Sequence, residues 1–283
     1  MGYRSSVSPT ERVTLAVLVV AAALPVLVAA ALSPSVRAFF RGRGSIRQTL
    51  SNVGVGLVFL ASQVVLRGAL VGVFAFAARL VPWKLDDSPW AFVLAFVAID
   101  FVYYVQHRVE HAVPVLWAIH AVHHQSRDYN LSVSLRVGAL ASVATAFFHA
   151  SLALLGVSTR LYAAVSTAHA VLLFGLHART LFALGPGRVF NAPVFHRVHH
   201  GAEAAYVDKN FGGVLLVFDR LFGTFAPYTA EPTFGVVGEE SPVLPLEANV
   251  APWRALFRVV GRERTLRGKV RALFVRVRAA EGD

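Results

Sequence analysis

The chain has 283 residues, 56% hydrophobic and 15% charged, with a formal net charge of +11 and no cysteine. Average soluble domains carry about 25% charged residues, so the deficit and the long apolar runs place this chain in a membrane. The missing thiols exclude disulfides, thiolate metal ligands, cysteine-held iron–sulfur clusters and thiol nucleophiles. Residues 13–32 form an apolar run of about twenty residues, long enough to span a bilayer, with Arg4 and Arg12 before it. It reads as an uncleaved anchor rather than a signal peptide, because the run is long for a signal sequence. Arg37, Arg41, Arg43 and Arg47 follow, and this basic loop belongs in the cytoplasm by the positive-inside rule.

Residues 49–82 are apolar apart from Arg67 and Arg79. As one helix they measure about 50 Å against a hydrocarbon core of about 30 Å, so the helix either breaks near Arg67-Gly68 or runs well beyond the core. A short polar turn leads to a second span over 90–106, which delivers His107 at its end. Residues 136–157 and 160–176 read as a helical hairpin about Gly156. The tail from Arg254 to Arg278 holds nine Arg/Lys and one acid, Glu263. It reads as a basic interfacial helix, or as a surface that recruits a partner or anionic lipid. One net crossing by 49–82 brings the polar segments and the basic tail to the cytoplasmic side. The expected architecture is therefore all-α: a membrane bundle of about four core helices under a cytoplasmic histidine-rich helical cap. It divides into an anchor and basic loop (1–44), a membrane domain (45–235) and a basic tail (236–283). Arginine and alanine richness suggests a GC-rich bacterial genome, hence an inner-membrane location. No aromatic–basic module points to nucleic acid.

Eight of the eleven histidines lie in three clusters: His107 and His111; His120, His123 and His124; His196, His199 and His200. Packing gives no reason to group imidazoles, whereas imidazole is a common ligand of first-row metals. Histidines four apart share a helical face, so each cluster can present two nitrogens to one side. Eight exceed the need of one four-coordinate ion, and two metals sharing a site is the natural count. His177 ends a span and is a ninth candidate, since polar groups at that depth are costly unless functional. His169, eight residues earlier, is a possible additional ligand or a packed histidine. His149 has no partner at ligand spacing and reads as structural or pocket-lining. Metal-bound histidines commonly donate their second ring proton to a carboxylate or carbonyl. Asp100, Asp128, Asn130, Asp208, Asn210 and Asp219 are the candidates for that supporting role. Asp100 has an ion pair with a buried arginine as its alternative. Glu110 points off the His107/His111 face and is not expected to be a ligand.

The order HxxxH, HxxHH, an isolated histidine and HxxHH resembles the fatty acid hydroxylase/sterol desaturase superfamily of membrane di-iron oxygenases. The stretches WAIHAVHHQS (117–126), DYNLS (128–132), NAPVFHRVHHG (191–201), YVDKNFGG (206–213) and DRLFGTF (219–225) resemble its alkylglycerol monooxygenase branch. The resemblance covers about residues 45–235. It implies two irons, with zinc a possible occupant on purification, as the catalytic centre. That centre uses O₂ to attack an unactivated C–H bond of a lipid drawn from the bilayer. Hydroxylation, desaturation and ether cleavage remain open. The chain is shorter than the animal alkylglycerol enzymes, so the resemblance does not carry over their substrate or their tetrahydrobiopterin. With no nucleotide fingerprint, haem motif or cysteine, electrons are expected from a separate donor or reductase. Phe147, Phe148, Leu172 and Phe174 are candidate lining residues of a lipid tunnel. Two other classes compete: a zinc-dependent membrane hydrolase, which lacks the expected HExxH carboxylate, and a metal transporter or sensor, which would favour ligands at mid-span.

Overall fold

In the computed structural model of the protein, residues 45–86, 88–178, 188–239 and 241–276 are described; the apolar run at 13–32 and the basic loop at 37–43 lie outside them. The first helix, α1 (Ile46–Arg79), starts where Ser45 Oγ accepts the backbone N–H of Gln48. A side-chain oxygen at this position satisfies a donor that the first helical turn leaves unpaired. The helix is continuous through Arg67 and Gly68, so of the two alternatives the long unbroken helix holds. Its 34 residues measure about 51 Å, well beyond a hydrocarbon core of about 30 Å. The excess falls at the N-terminal end, where the polar residues Gln48, Ser51 and Asn52 are buried.

Ser88 caps α2 (Pro89–Ala112), with Pro89 in its first turn, where a missing N–H costs nothing. Val113 ends α2 and Pro114 opens α3 (Pro114–His124). Asn130 then caps a short 3₁₀ helix, Leu131–Leu135. Helices α4 (Ala141–Leu154) and α5 (Thr159–Leu176) form the expected hairpin. It turns at Gly156, whose φ of +87° and close approach to Trp83 leave no room for a side chain. Short helices α6 (Pro193–His199) and α7 (Val217–Leu221) follow, then α8 (Pro245–Arg262) and α9 (Leu266–Phe274). Among the described residues there is no strand, only the isolated bridges Phe190–Leu215 and Gly201–Phe234.

Helices α1, α2 and α5 are long and apolar enough to cross a membrane; α4, with 14 residues, measures about 21 Å. The four meet at a core of Phe74, Ala77, Ala91, Ala95, Ile99, Leu152, Ala153, Val157, Leu161 and Val165. Alanines at these contacts let the helix backbones approach closely, which drives packing in lipid. The opposite faces are apolar and uncovered: Val64 is 87% exposed and Phe147 78%. Such surface suits hydrocarbon rather than water. Phe147 therefore faces outward and is no tunnel-lining residue, and Leu172 is also exposed.

The membrane helices and the remaining elements belong to one compact unit. Arg136 joins them. Its fully buried guanidinium donates to Val122 O (2.7 Å), Gln125 Oε1 (2.8 Å), Ser51 Oγ (3.0 Å), Asn52 Oδ1 (3.2 Å) and Pro242 O (3.2 Å). One side chain thereby ties the protruding end of α1 to α3 and to the segment before α8. Burial pulls its pKa down to about 10, so it stays charged at neutral pH.

Candidate metal centre

Four elements converge beyond the bundle. The last turns of α2 carry His107 and His111; α3 carries His120, His123 and His124; α6 carries His196 and His199, with His200 at its end. His177 ends α5. The nine side chains sort into two adjacent groups, each offering ring nitrogens that lie within 4.8 Å of one another. His107, His111, His120, His124 and His199 form one, and His123, His177, His196 and His200 the other. The groups touch where the His124 and His200 rings stack with centroids 4.5 Å apart.

Within the groups Nε2 atoms face each other. They stand 3.1 Å apart in His107–His120, His120–His124 and His177–His196, and 3.2 Å apart in His111–His124, His124–His199 and His123–His177. The opposite nitrogens of six of these histidines are engaged, whereas His196 Nδ1 is buried without a partner among the described residues. His107 Nδ1 donates to Phe211 O, His199 Nδ1 to Lys209 O, and His123 Nδ1 to Arg136 O. His177 Nδ1 lies 3.3 Å from Leu173 O. Two carboxylates complete the set: Asp208 accepts from His111 Nδ1 at 3.2 Å, and Glu110 from His120 Nδ1 at 3.0 Å. A neutral imidazole has one N–H, so donation from Nδ1 leaves a lone pair on Nε2. In His107–His120 and His123–His177 two such lone pairs confront each other.

That arrangement fits a cation. Two nitrogens about 2.1 Å from a shared ion, at angles between octahedral and tetrahedral, stand about 3.0–3.4 Å apart. The charge state agrees. Burial first, then neighbouring imidazoles, hold His124, His196 and His200 well below the usual imidazole range. Burial pulls His177 down to about 4 and His199 to about 3. All stay neutral near pH 7, the form that ligates metals.

The segment from Asp208 to Asp219 is built to hold this geometry. Asp208 and Asn210 adopt positive φ, 58° and 54°. Asn210 bonds the backbones of Phe195 and Ala226. Asp219 accepts the N–H groups of Phe211 and Gly212 and the Thr224 hydroxyl. Through the Gly212 N–H it fixes the Phe211 carbonyl that orients His107; the Lys209 carbonyl that orients His199 shares its peptide plane with the Asn210 N–H, which Thr224 O accepts. Gly213 lies against the bundle; a Cβ there would stand 2.5 Å from Asp100 Oδ1. Asp100 accepts from the backbone N–H groups of Val214 (2.7 Å) and Leu215 (2.8 Å) and from His169 Nε2 (2.7 Å).

Of the expected supporting residues, only Asp208 bonds a clustered histidine directly. Asp219 and Asn210 act through the backbone, and Asp100 clamps the same loop to the spans with His169, not an arginine, as its partner. His169 lies outside both groups because its ring is committed to Asp100. Asp128 accepts from Ser45 at the start of α1, and Asn130 from Ser132 in the turn it caps; neither bonds a clustered histidine. His149 is bonded to Tyr162 in the bundle, 2.8 Å away. The residues missed include Glu110, Trp117 and Tyr129, whose ring packs on His177 and His200. Glu110 does point off the His107/His111 face, but toward His120, where Gln106 also donates to it at 2.8 Å. The Trp117 ring packs on His111 and His124, as its spacing of i+3 and i+7 to His120 and His124 on α3 permits.

Comparison with known proteins identifies the setting. Residues 92–224 match the family model "Fatty acid hydroxylase". The chain carries a fatty acid hydroxylase domain. All nine clustered histidines of this hydroxylase domain fall within the match. Human alkylglycerol monooxygenase is 39% identical over 157 residues, which is 55% of this chain and 34% of that protein. The Danio rerio alkylglycerol monooxygenase is 34% identical over 197 residues, 68% of this chain and 43% of the relative. The "Ornithine lipid hydroxylase OlsE" of Rhizobium tropici is 29% identical over 171 residues, 54% of this chain and 48% of the relative. The chain thus spans less than half the length of these relatives. No solved structure gives a significant match.

Proposed function

We propose that the chain is a membrane-bound non-haem di-iron monooxygenase that hydroxylates a C–H bond of a lipid. The observation that carries this reading is the pairing of two buried, all-histidine groups at the ends of membrane-crossing helices. His107, His111, His120, His124 and His199 would hold one iron, and His123, His177, His196 and His200 the other. Bound iron supplies the redox chemistry that lets O₂ react with an unactivated C–H bond. In the balanced reaction R–H, O₂, two electrons and two protons give R–OH and water, the electrons coming from a separate donor. The protein's own part is to keep the imidazoles neutral, in one tautomer and dry. The positive-inside bias of the basic stretches supports a cytoplasmic position for the histidines.

A cavity of about 220 Å³ lies on the outer side of Trp117, bounded also by Pro252, Leu256, Val275 and Arg276. A small reductant seated there would lie one ring, that of Trp117, from His111 and His124. The hydrolase reading fares worse: neither histidine group includes a carboxylate, and Glu110, the nearest, is engaged by His120 and Gln106.

The names of the relatives supply the trial substrates. Protein loaded anaerobically with Fe(II) in lipid nanodiscs is given an alkylglycerol, an ornithine lipid or a plain phospholipid, with a chemical reductant and ¹⁸O₂. One ¹⁸O atom entering one of these lipids is the expected result. Product without label, or turnover with zinc alone, would remove the oxygenase reading. Glu110 gives a finer test. In Glu110→Gln, His120 loses its carboxylate acceptor. Metal affinity of the five-histidine group should fall about 10- to 100-fold in a chelator competition, with the thermal melt of the apoprotein nearly unchanged.

A further inference from the structure

The C-terminal helices have a surface that the metal site does not use. On α8, Ala248, Pro252 and Leu256 are buried at i, i+4 and i+8. Leu246, Val250, Trp253 and Phe257 recur at i, i+4, i+7 and i+11, a second apolar stripe on another side. Leu246 is 70% exposed and Phe257 58%, and the Trp253 and Phe257 rings pack together along the stripe. A third row, Arg254, Arg258 and Arg262, is exposed beyond it, with Arg254 paired to Glu247. On α9, Leu266, Val270 and Phe274 repeat the exposed apolar spacing among Arg267, Lys269 and Arg271. From 245 to 274 there are seven Arg/Lys and two Glu. A helix with two apolar faces and a basic one has two partners; the protein core is only the first.

Hydrogen bonds fix the depth at which this surface lies. Asn249 Oδ1 accepts the N–H of Ala139, two residues before α4 begins, and the Ala139 carbonyl accepts from Ser62 Oγ on α1. Asn249 therefore sits level with the point where α4 enters the bundle and α1 passes from its protruding part into its lipid-facing part. Around α8, Asn249 falls between the buried face and the exposed apolar stripe. The stripe is thus the next face round from this contact with the bundle, and the arginines follow on its far side.

We infer that α8 and α9 lie in the bilayer interface of the leaflet on the histidine side. Leu246, Val250, Phe257, Leu266, Val270 and Phe274 enter the acyl boundary there, and the flanking arginines bind anionic lipid headgroups. The charge selects an anionic surface, and the register with α1 and α4 selects this same membrane over a second copy of the chain. Apolar burial and basic attraction act together in such helices.

The natural absence of cysteine makes site-directed labelling clean. Single variants Phe257→Cys, Leu266→Cys and Arg262→Cys, all at exposed positions, are spin-labelled in the full chain. They are placed in nanodiscs of phosphatidylglycerol and phosphatidylethanolamine. Labels at 257 and 266 should be accessible to O₂ and several-fold less accessible to a water-soluble nickel chelate than the label at 262. Replacing the lipid by phosphatidylcholine should raise nickel access at 257. Equal nickel access at all three positions would overturn the inference. Shielding from both probes with spin–spin broadening would assign the stripe to a second copy instead. Nickel access unchanged by lipid charge would remove the anionic partner.

Discussion

Replacing His123 by alanine is expected to leave a folded, membrane-inserted chain that has lost one of its two metal ions and its turnover. The two-group geometry makes the loss selective. His123 is one of four imidazoles in its group and faces His177 at 3.2 Å, so three ligands remain there, while the five of the other group are untouched. The fold has little reason to follow, because α3 packs through Ala118, Ile119, Ala121 and Val122, and the one bond lost outside the group is that to the Arg136 carbonyl. Altering residues that merely support a ligand costs about 10- to 100-fold in affinity or activity; removing the ligand should lower turnover by more than about 100-fold. Metal content per chain and lipid product, measured on the same preparation, read both effects. His149→Ala is the matched control, since that ring lies in neither group, and full turnover in His123→Ala would contradict the assignment.

Arg136→Met is expected to destabilise the fold more than any change at an exposed residue. The guanidinium serves five acceptors from three parts of the chain, and none of them is a carboxylate. Methionine restores the volume but leaves the buried oxygens of Val122, Gln125, Asn52 and Pro242 short of donors. Each unsatisfied buried group costs about 1–3 kcal/mol, so a loss of about 3 kcal/mol or more is expected. A large fall in melting temperature in detergent would show it. Arg136→Lys should recover only part, since one ammonium cannot copy a planar fork with five donors. Because the Arg136 carbonyl orients His123, weaker metal retention in the four-histidine group should accompany the melt.

Much of this was legible in the sequence, for reasons that the structure makes explicit. Spans and histidine clusters are local signals: a hydropathy run sets the first, and spacing of four along a helix sets the second. Their convergence needed no long-range guess, because His107 and His177 end spans and so had to meet near one membrane surface. The supporting residues were less legible because they are set by tertiary contacts. Asp100 and His169 looked like partners of the metal site, and they are instead partners of each other. Helical spacing says only that Glu110 points off the His107/His111 face, whereas its bond crosses to α3. Arg136 stood at the head of an apolar run with no acid nearby in sequence; its partners are carbonyls and amides, which leave no charge pattern to read. The exposed stripe on α8 was equally hidden, since periodicity cannot say which of two apolar faces meets protein and which meets lipid.

Metal analysis of protein purified without oxygen tests the central claim most directly. Full-length chain extracted and loaded anaerobically with Fe(II), then desalted, should hold two irons per chain, with His123→Ala holding one, and the bound iron should be oxidised when O₂ is admitted with lipid present. A single tightly bound zinc, with no iron uptake and no oxygen consumption, would contradict the account.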